Sequence, residues 1–146
     1  MVEKEANVLH TYDFEQLREL SGHEVLSEDG EKVGYVDLVF RDVDTGEPEW
    51  LGIWDGLPDT KPRVLVPVRS VAVDEDALRV PWPADLIRKA PTYEAPGDLV
   101  IGHDSVVEIS PETEQEAYAH YGVQPATERE QPVEVVRFRV WRIQSF

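Results

Sequence analysis

Between Ser21 and Pro81 apolar and polar residues alternate in short runs, each closed by an acidic turn. The runs are His23 to Ser27, Lys32 to Val43, Glu49 to Asp55, Arg63 to Val68, Val71 to Val73 and Ala77 to Pro81. The turns are Asp29-Gly30, Asp44-Thr45-Gly46, Leu57-Pro58-Asp59 and Asp74-Glu75-Asp76. A period of two marks strands with one buried face, and Asp-Gly pairs supply the positive φ that hairpins need. Short strands joined by hairpins bury their apolar faces by bending the sheet onto itself. The pattern predicts a mainly β fold with short helices: a small, strongly bent antiparallel β-barrel, closed on itself, plus a C-terminal strand. In the Lys32 to Val43 run, Val36, Leu38 and Phe40 share the side assigned to the core. The Glu49 to Asp55 run is apolar on both faces, Trp50 and Trp54 on one and Leu51 and Ile53 on the other, so later helices should cover its outer face.

Helical signals flank the strands. Asp13 with Gln16, and Phe14, Leu17 and Leu20 at helical spacing, predict a short amphipathic helix over Asp13 to Leu20, stopped by Ser21-Gly22. Pro83 starts a second helix, Ala84 to Lys89, that Pro91 ends. Ser110-Pro111 caps a third, and Gly122 stops it, giving Pro111 to Tyr121. Asp98 to Ile109 holds two short apolar runs, which fit strand and helix alike. The organisation is an N-terminal arm (1–12), a barrel-like domain with a helical cap (13–123), a linker rich in Pro and Glu (124–132) and a tail (133–146). In the tail Val136, Phe138 and Val140 alternate with Arg137 and Arg139, and Trp141 continues the apolar series. So apolar a strand left in water would aggregate, so it pairs with its own barrel, with a second copy, or with another protein.

Composition narrows the functions. A chain of 146 residues suits one domain with an appendage, and two independent cores would be hard to fill. The net charge of −16 repels nucleic acid and anionic lipid. With no cysteine, disulfides, thiolate catalysis and thiolate-held metals are excluded. No apolar run has the length of a membrane span, and Met1 to Thr11 lacks the apolar core of a signal peptide; a soluble cytoplasmic protein is expected.

Candidate chemistry is sparse. Asp42, Asp44 and Glu47 around Gly46 resemble a fragment of a calcium loop, since hard cations take clustered carboxylates, but the ordered loop spacing is missing and a hairpin turn accounts for them. His10, His23, His103 and His120 show no helical metal-pair spacing, and no serine sits in a nucleophile elbow. The glycines are spaced by strands, not clustered before a helix, so no phosphate loop is present. No catalytic residue, resident metal or cofactor is expected. Trp50, Trp54, Trp82 and Trp141 read as core or interface anchors rather than an aromatic ligand box, with Trp82 sealing the junction between barrel and helix.

Three stretches carry a likeness to a known family: LRELSGHEVLSEDGEKVGYVDLVFRDVDTGEPEWLGI from Leu17, RVLVPVRSVAVDEDALRVPWPADLIRKAPTYEAPGDL from Arg63, and SPETEQEAYAHYGV from Ser110. Their hairpin pattern around Gly30 and Gly34, a strand ending in Val-Pro, a segment ending in Ala-Pro and a closing helix with Tyr-Gly resemble the PRC-barrel domain, named after the cytoplasmic part of the photosynthetic reaction-centre H subunit. The resemblance spans Leu17 to Val123. It implies a small bent barrel used as an adaptor, with no family catalytic residues. Without a membrane helix or a leading domain in front of the barrel, the chain looks like free-standing members, some linked to stress responses.

The expected function is a non-enzymatic protein-interaction module with a stress-related setting, which forms a homodimer when Val136, Phe138, Val140, Trp141, Arg137 and Arg139 add as a strand to an acidic neighbouring barrel. The alternative, from the acidic hairpin and the H-subunit likeness, is a cation-binding or proton-relaying accessory protein of photosynthetic electron transfer. Neither nucleic acid nor membrane insertion is expected of it.

Overall fold

The structure, a computed structural model, describes residues 7–8, 23–44, 46, 48–55, 62–68, 71–74, 77–94, 104–123 and 135–142. Among them ten strands share one sheet: β1 (Asn7–Val8), β2 (Glu24–Leu26), β3 (Lys32–Asp42), β4 (Pro48–Trp54), β5 (Pro62–Pro67), β6 (Ala72–Asp74), β7 (Ala77–Arg79), β8 (Thr92–Glu94), β9 (Asp104–Ile109) and β10 (Val136–Arg142). Two helices accompany them, α1 (Ala84–Arg88) and α2 (Pro111–Tyr121). The six alternating runs all become strands, within a residue or two of their expected ends. The Asp13 to Leu20 helix, the 124–132 linker, His10 and His103 lie outside the described residues.

The sheet runs β1-β6-β7-β2-β3-β4-β5-β8, with β10 and then β9 branching from β3. Among the described residues this ladder ends at β1 and β8, so the sheet is bent but open, where a closed cylinder was expected. Two further features depart from the expected hairpin meander. β2 pairs with β7 in parallel, Val25 facing Leu78. The arm, which has no period, lends Asn7 and Val8 to β6. The ambiguous stretch resolves at Asp104–Ile109 as strand, because β10 offers it a partner along its whole length.

β3 is 11 residues long, and one edge serves two strands in turn. Its first half pairs with β2, Tyr35 facing Glu24, and its second half with β10, Phe40 facing Val140. The other edge pairs with β4, with a register shift between Val36 and Leu38 that leaves Asp37 as an extra residue. A second shift leaves Glu49 extra on β4, since Phe40 faces Trp50 and Arg41 faces Pro48.

The bulge at Asp37 reverses which face each following residue presents. Val36 and Val39 consequently reach the same core, with Val25, Leu51, Ile53, Val66, Leu78 and Ile87. Leu38 and Phe40 face the other way, into a second core with Trp50, Leu65, Val107, Ile109, Ala117, Tyr118, Val136, Phe138 and Val140. The expectation of one core holding Val36, Leu38 and Phe40 together is therefore corrected: a period of two carried through an unseen bulge puts half the strand on the wrong face. The two clusters are not independent cores, because they lie back to back on strands they share. The outer face of β4 is covered as expected, Trp50 by α2 and β10.

Close backbone approach fixes the β3–β4 crossing. A Cβ added at Gly34 would collide with the Trp54 carbonyl oxygen and lie 2.8 Å from Ile53 Cγ2. Neither backbone can yield without disturbing the ladder, so Gly34→Ala should cost about 3 kcal/mol or more, beyond ordinary overpacking. Thermal unfolding followed by circular dichroism measures this; an unchanged midpoint would mean that the strands cross further apart.

The helices follow their signals. The Ser110 hydroxyl accepts the Thr113 N–H at 3.2 Å, and Gly122 closes α2 at φ 68° in the left-handed region. Trp82 seals its junction as expected, its Nε1 donating to the Tyr121 carbonyl at 3.2 Å and its ring 4.5 Å from that of Tyr121.

Candidate interaction surface

The tail residues singled out as an interface divide into two sets. Val136, Phe138 and Val140 are buried in the second core, Phe138 meeting Phe40 edge to face at 5.9 Å. Arg137 and Arg139 are exposed on the opposite face, and Trp141 is half-buried against the first core. Both edges of β10 are taken within the chain, by β3 and by β9. Of the three partners the apolar pattern allowed, the structure shows the chain's own sheet.

On the exposed face the register sets Arg139 between Arg41 of β3 and Val106 of β9, and Arg137 beside Glu108. Arg137 Nε lies 3.0 Å from Glu108 Oε2 in an ion pair whose side chains are 58% and 52% exposed, so it adds little stability. Val106 is 54% exposed, the exposed large hydrophobic among the described residues. Among those residues β9 bonds to β10. Sequence reasoning missed this strand as a surface because its apolar run does not announce its partner. The single signal was Val106 beside Val107, an alternation broken by two valines.

The buried polar groups hold the layers together. Arg63 on β5 reaches across β4 to the extra residue Asp37, Nε to Oδ2 at 2.6 Å, both side chains buried. Gly52 lies between them, where an added Cβ would be 3.3 Å from Arg63 Cβ and 3.0 Å from Leu38 Cβ, so the missing side chain leaves the crossing clear. On the other face α2 is tied to β4: the Tyr118 hydroxyl donates to Glu49 Oε1 at 2.7 Å, Trp50 Nε1 donates to Glu114 Oε2 at 3.5 Å, and the Trp50 and Tyr118 rings meet at a 38° tilt with centroids 4.7 Å apart. These ties were also missed; only Asp37, a lone acid inside a strand of valine and leucine, could have flagged one.

The other candidates take structural places. The Asp42 carboxylate accepts the Asp44 N–H at 2.8 Å, and the Asp42 carbonyl accepts the Gly46 N–H at 2.8 Å, Gly46 having φ 74°. Asp42 and Asp44 thus form the expected hairpin turn, and Glu47 lies outside the described residues. His120 Nε2 sits 2.5 Å from the Leu86 carbonyl, joining α2 to α1. Lys32 is held above its usual pKa, first by its hydrogen bond with the Tyr35 hydroxyl at 2.9 Å.

Burial also pushes the Tyr121 hydroxyl well above the usual tyrosine range, while it donates to the Leu65 carbonyl at 2.6 Å. In the unfolded chain this phenol ionises near pH 10, whereas the folded chain keeps its proton. Stability from this group is complete below about pH 10 and falls above it, by at most about 1.4 kcal/mol per pH unit. Urea unfolding of wild type and Tyr121→Phe between pH 8 and 11 should show a shallower alkaline slope in the variant; equal slopes would contradict a buried phenol.

The family model for the PRC-barrel domain matches residues 13–87. The chain belongs to the PRC-barrel family. No curated protein and no solved structure matches it. The matched PRC-barrel region ends in α1, so β8, β9, α2 and β10 follow it, and β9, α2 and β10 build the second core on the back of its sheet.

Proposed function

We propose that this PRC-barrel protein is a non-enzymatic interaction module that works through its surface. The observation that carries the reading is the use made of the interior: both faces of the shared strands are packed with the chain's own side chains, and Asp37, Glu49 and Glu114 each bond to another layer of the same chain. Groups so employed have no freedom to handle substrate. A place in stress responses, as in some free-standing members it resembles, and a cytoplasmic setting belong to the same proposal; no helix among the described residues is long and apolar enough to cross a membrane. Affinity capture from native lysate with the intact chain tests it. A protein retained in stoichiometric amount through a salt wash supports the module, and a bait that retains nothing overturns it.

Homodimerisation through the C-terminal strand then takes one form. Because β10 is already central in its own sheet, two copies would exchange it and reproduce the same register between chains. Light scattering across a concentration series decides: a doubled mass supports exchange, and a monomer at every concentration removes it.

The second reading is a cation-binding or proton-relaying accessory protein. Its motive is the burial of four carboxylates, Asp37, Asp42, Glu49 and Glu114, in one small domain, although among the described residues no three such groups cluster closely enough to hold a metal ion. Calorimetric titration with calcium that gives neither heat nor a melting shift disposes of its metal half.

A further inference from the structure

From the hydrogen bonds that close the β2–β3 hairpin we infer that Asp29-Gly30 is a latent site of spontaneous backbone modification, isomerisation of Asp29 to isoaspartate, which Ser27 holds shut. The inference stands apart from the interaction-module reading. Asp-Gly is the sequence most open to this chemistry, because glycine has no side chain to hinder its own backbone nitrogen. The Gly30 nitrogen attacks the Asp29 Cγ, an N–C bond forms, and the amide proton and the carboxyl hydroxyl leave as water. The ring so formed is a succinimide. Solvent water then opens it at either carbonyl, which restores aspartate or leaves the main chain running through the side-chain carboxyl, with no change of oxidation state.

The reaction needs a protonated carboxyl to release water, a side chain free to swing over the Gly30 nitrogen, and an amide free to lose its proton. Ser27 opposes all three. Its hydroxyl donates to Asp29 Oδ1, which draws the side chain back towards Ser27. The same bond is the first cause that holds the Asp29 carboxyl below its usual pKa, so less of it is protonated. The Ser27 carbonyl accepts the Gly30 N–H at 3.0 Å, closing a four-residue turn with serine first and glycine, at φ 86°, last. Ser27 cannot turn away: it is fully buried, its N–H donates to the Glu31 carbonyl at 2.8 Å, and its hydroxyl accepts the Glu31 N–H at 3.1 Å. The turn is also pinned from α1 and its approach. The Glu28 N–H donates to the Trp82 carbonyl at 2.9 Å, and Arg88 pairs with the Glu31 carboxylate.

The test incubates the full chain, its Ser27→Ala variant and a peptide of the sequence Leu26 to Lys32 in neutral buffer for weeks, and counts isoaspartate at position 29 by peptide mapping and mass spectrometry. Folded wild type should isomerise about tenfold or more slowly than the peptide, and Ser27→Ala about fivefold or more faster than wild type, the weight of one hydrogen bond. Asp55-Gly56, the second Asp-Gly pair of the sequence, is read in the same digests and should keep its wild-type rate in the variant. Wild type that isomerises at the peptide's rate overturns the inference, as does a Ser27→Ala variant that matches wild type. A rise at both pairs together also overturns it, since the variant then acts through global unfolding. Should Ser27→Ala not fold, hydrogen exchange of the Gly30 amide in wild type decides in its place: protection supports the guard, and exchange at the peptide's rate removes it.

Discussion

A chain ended at Pro132 should fail to reach the native fold. β10 lies between β3 and β9, so its loss strips hydrogen bonds from both and leaves β9 without its partner. It also removes Val136, Phe138 and Val140 from the second core, exposing Phe40, Trp50 and Tyr118 on the back of the sheet. Deleting one buried phenylalanine side chain costs about 3–5 kcal/mol, and small domains have only about 5–15 kcal/mol in all. Three buried side chains and two ladders exceed that margin. The truncated chain should show no cooperative melt, bind a hydrophobic dye and run as aggregate. Phe138→Ala, losing about 3–5 kcal/mol, gives a graded version that still folds. If the tail were an appendage, both changes would move stability by less than about 0.5 kcal/mol.

The second large effect is expected at the Asp37–Arg63 pair. Asp37→Ala leaves the Arg63 guanidinium buried without this partner, at a cost of about 3–5 kcal/mol. For a domain of this size that is roughly 10–20 °C in melting temperature. Replacing both, Asp37→Leu with Arg63→Met, should recover most of the loss, because matched apolar side chains carry no desolvation cost. A double-mutant cycle by urea unfolding yields a coupling of several kcal/mol if the pair is as buried as it stands here. Additive losses would mean that the two groups reach water separately.

How far the fold could be read from the chain follows from what alternation encodes. A period of two reports local extension and a buried side, so the six runs from His23 to Pro81 were legible to within a residue or two. Capping chemistry is equally local: Ser110-Pro111 and Gly122 gave α2 its ends. Pairing is not local. Nothing near Glu24 states that it will run parallel to Ala77, and nothing near Val136 states that it will slide beside Phe40 rather than another chain. The bulge at Asp37 was invisible for a related reason, since a one-residue shift leaves composition unchanged while exchanging the faces of Leu38 and Phe40 with respect to Val36. The surface suffered most. Arg137 and Arg139 could be named as outward residues of a tail strand, but Val106 and Arg41 join them only through register.

The placement of β10 within its own sheet is what makes the second core and the exposed arginine face. Hydrogen exchange on the intact protein, followed residue by residue by NMR, tests it most directly. The account predicts that the paired amides of Val136–Arg142 are protected as strongly as those of Leu38–Phe40, exchanging only through global unfolding. Amides in Val136–Arg142 that exchange at the rate of an unstructured peptide, while Leu38–Phe40 stay protected, would contradict it.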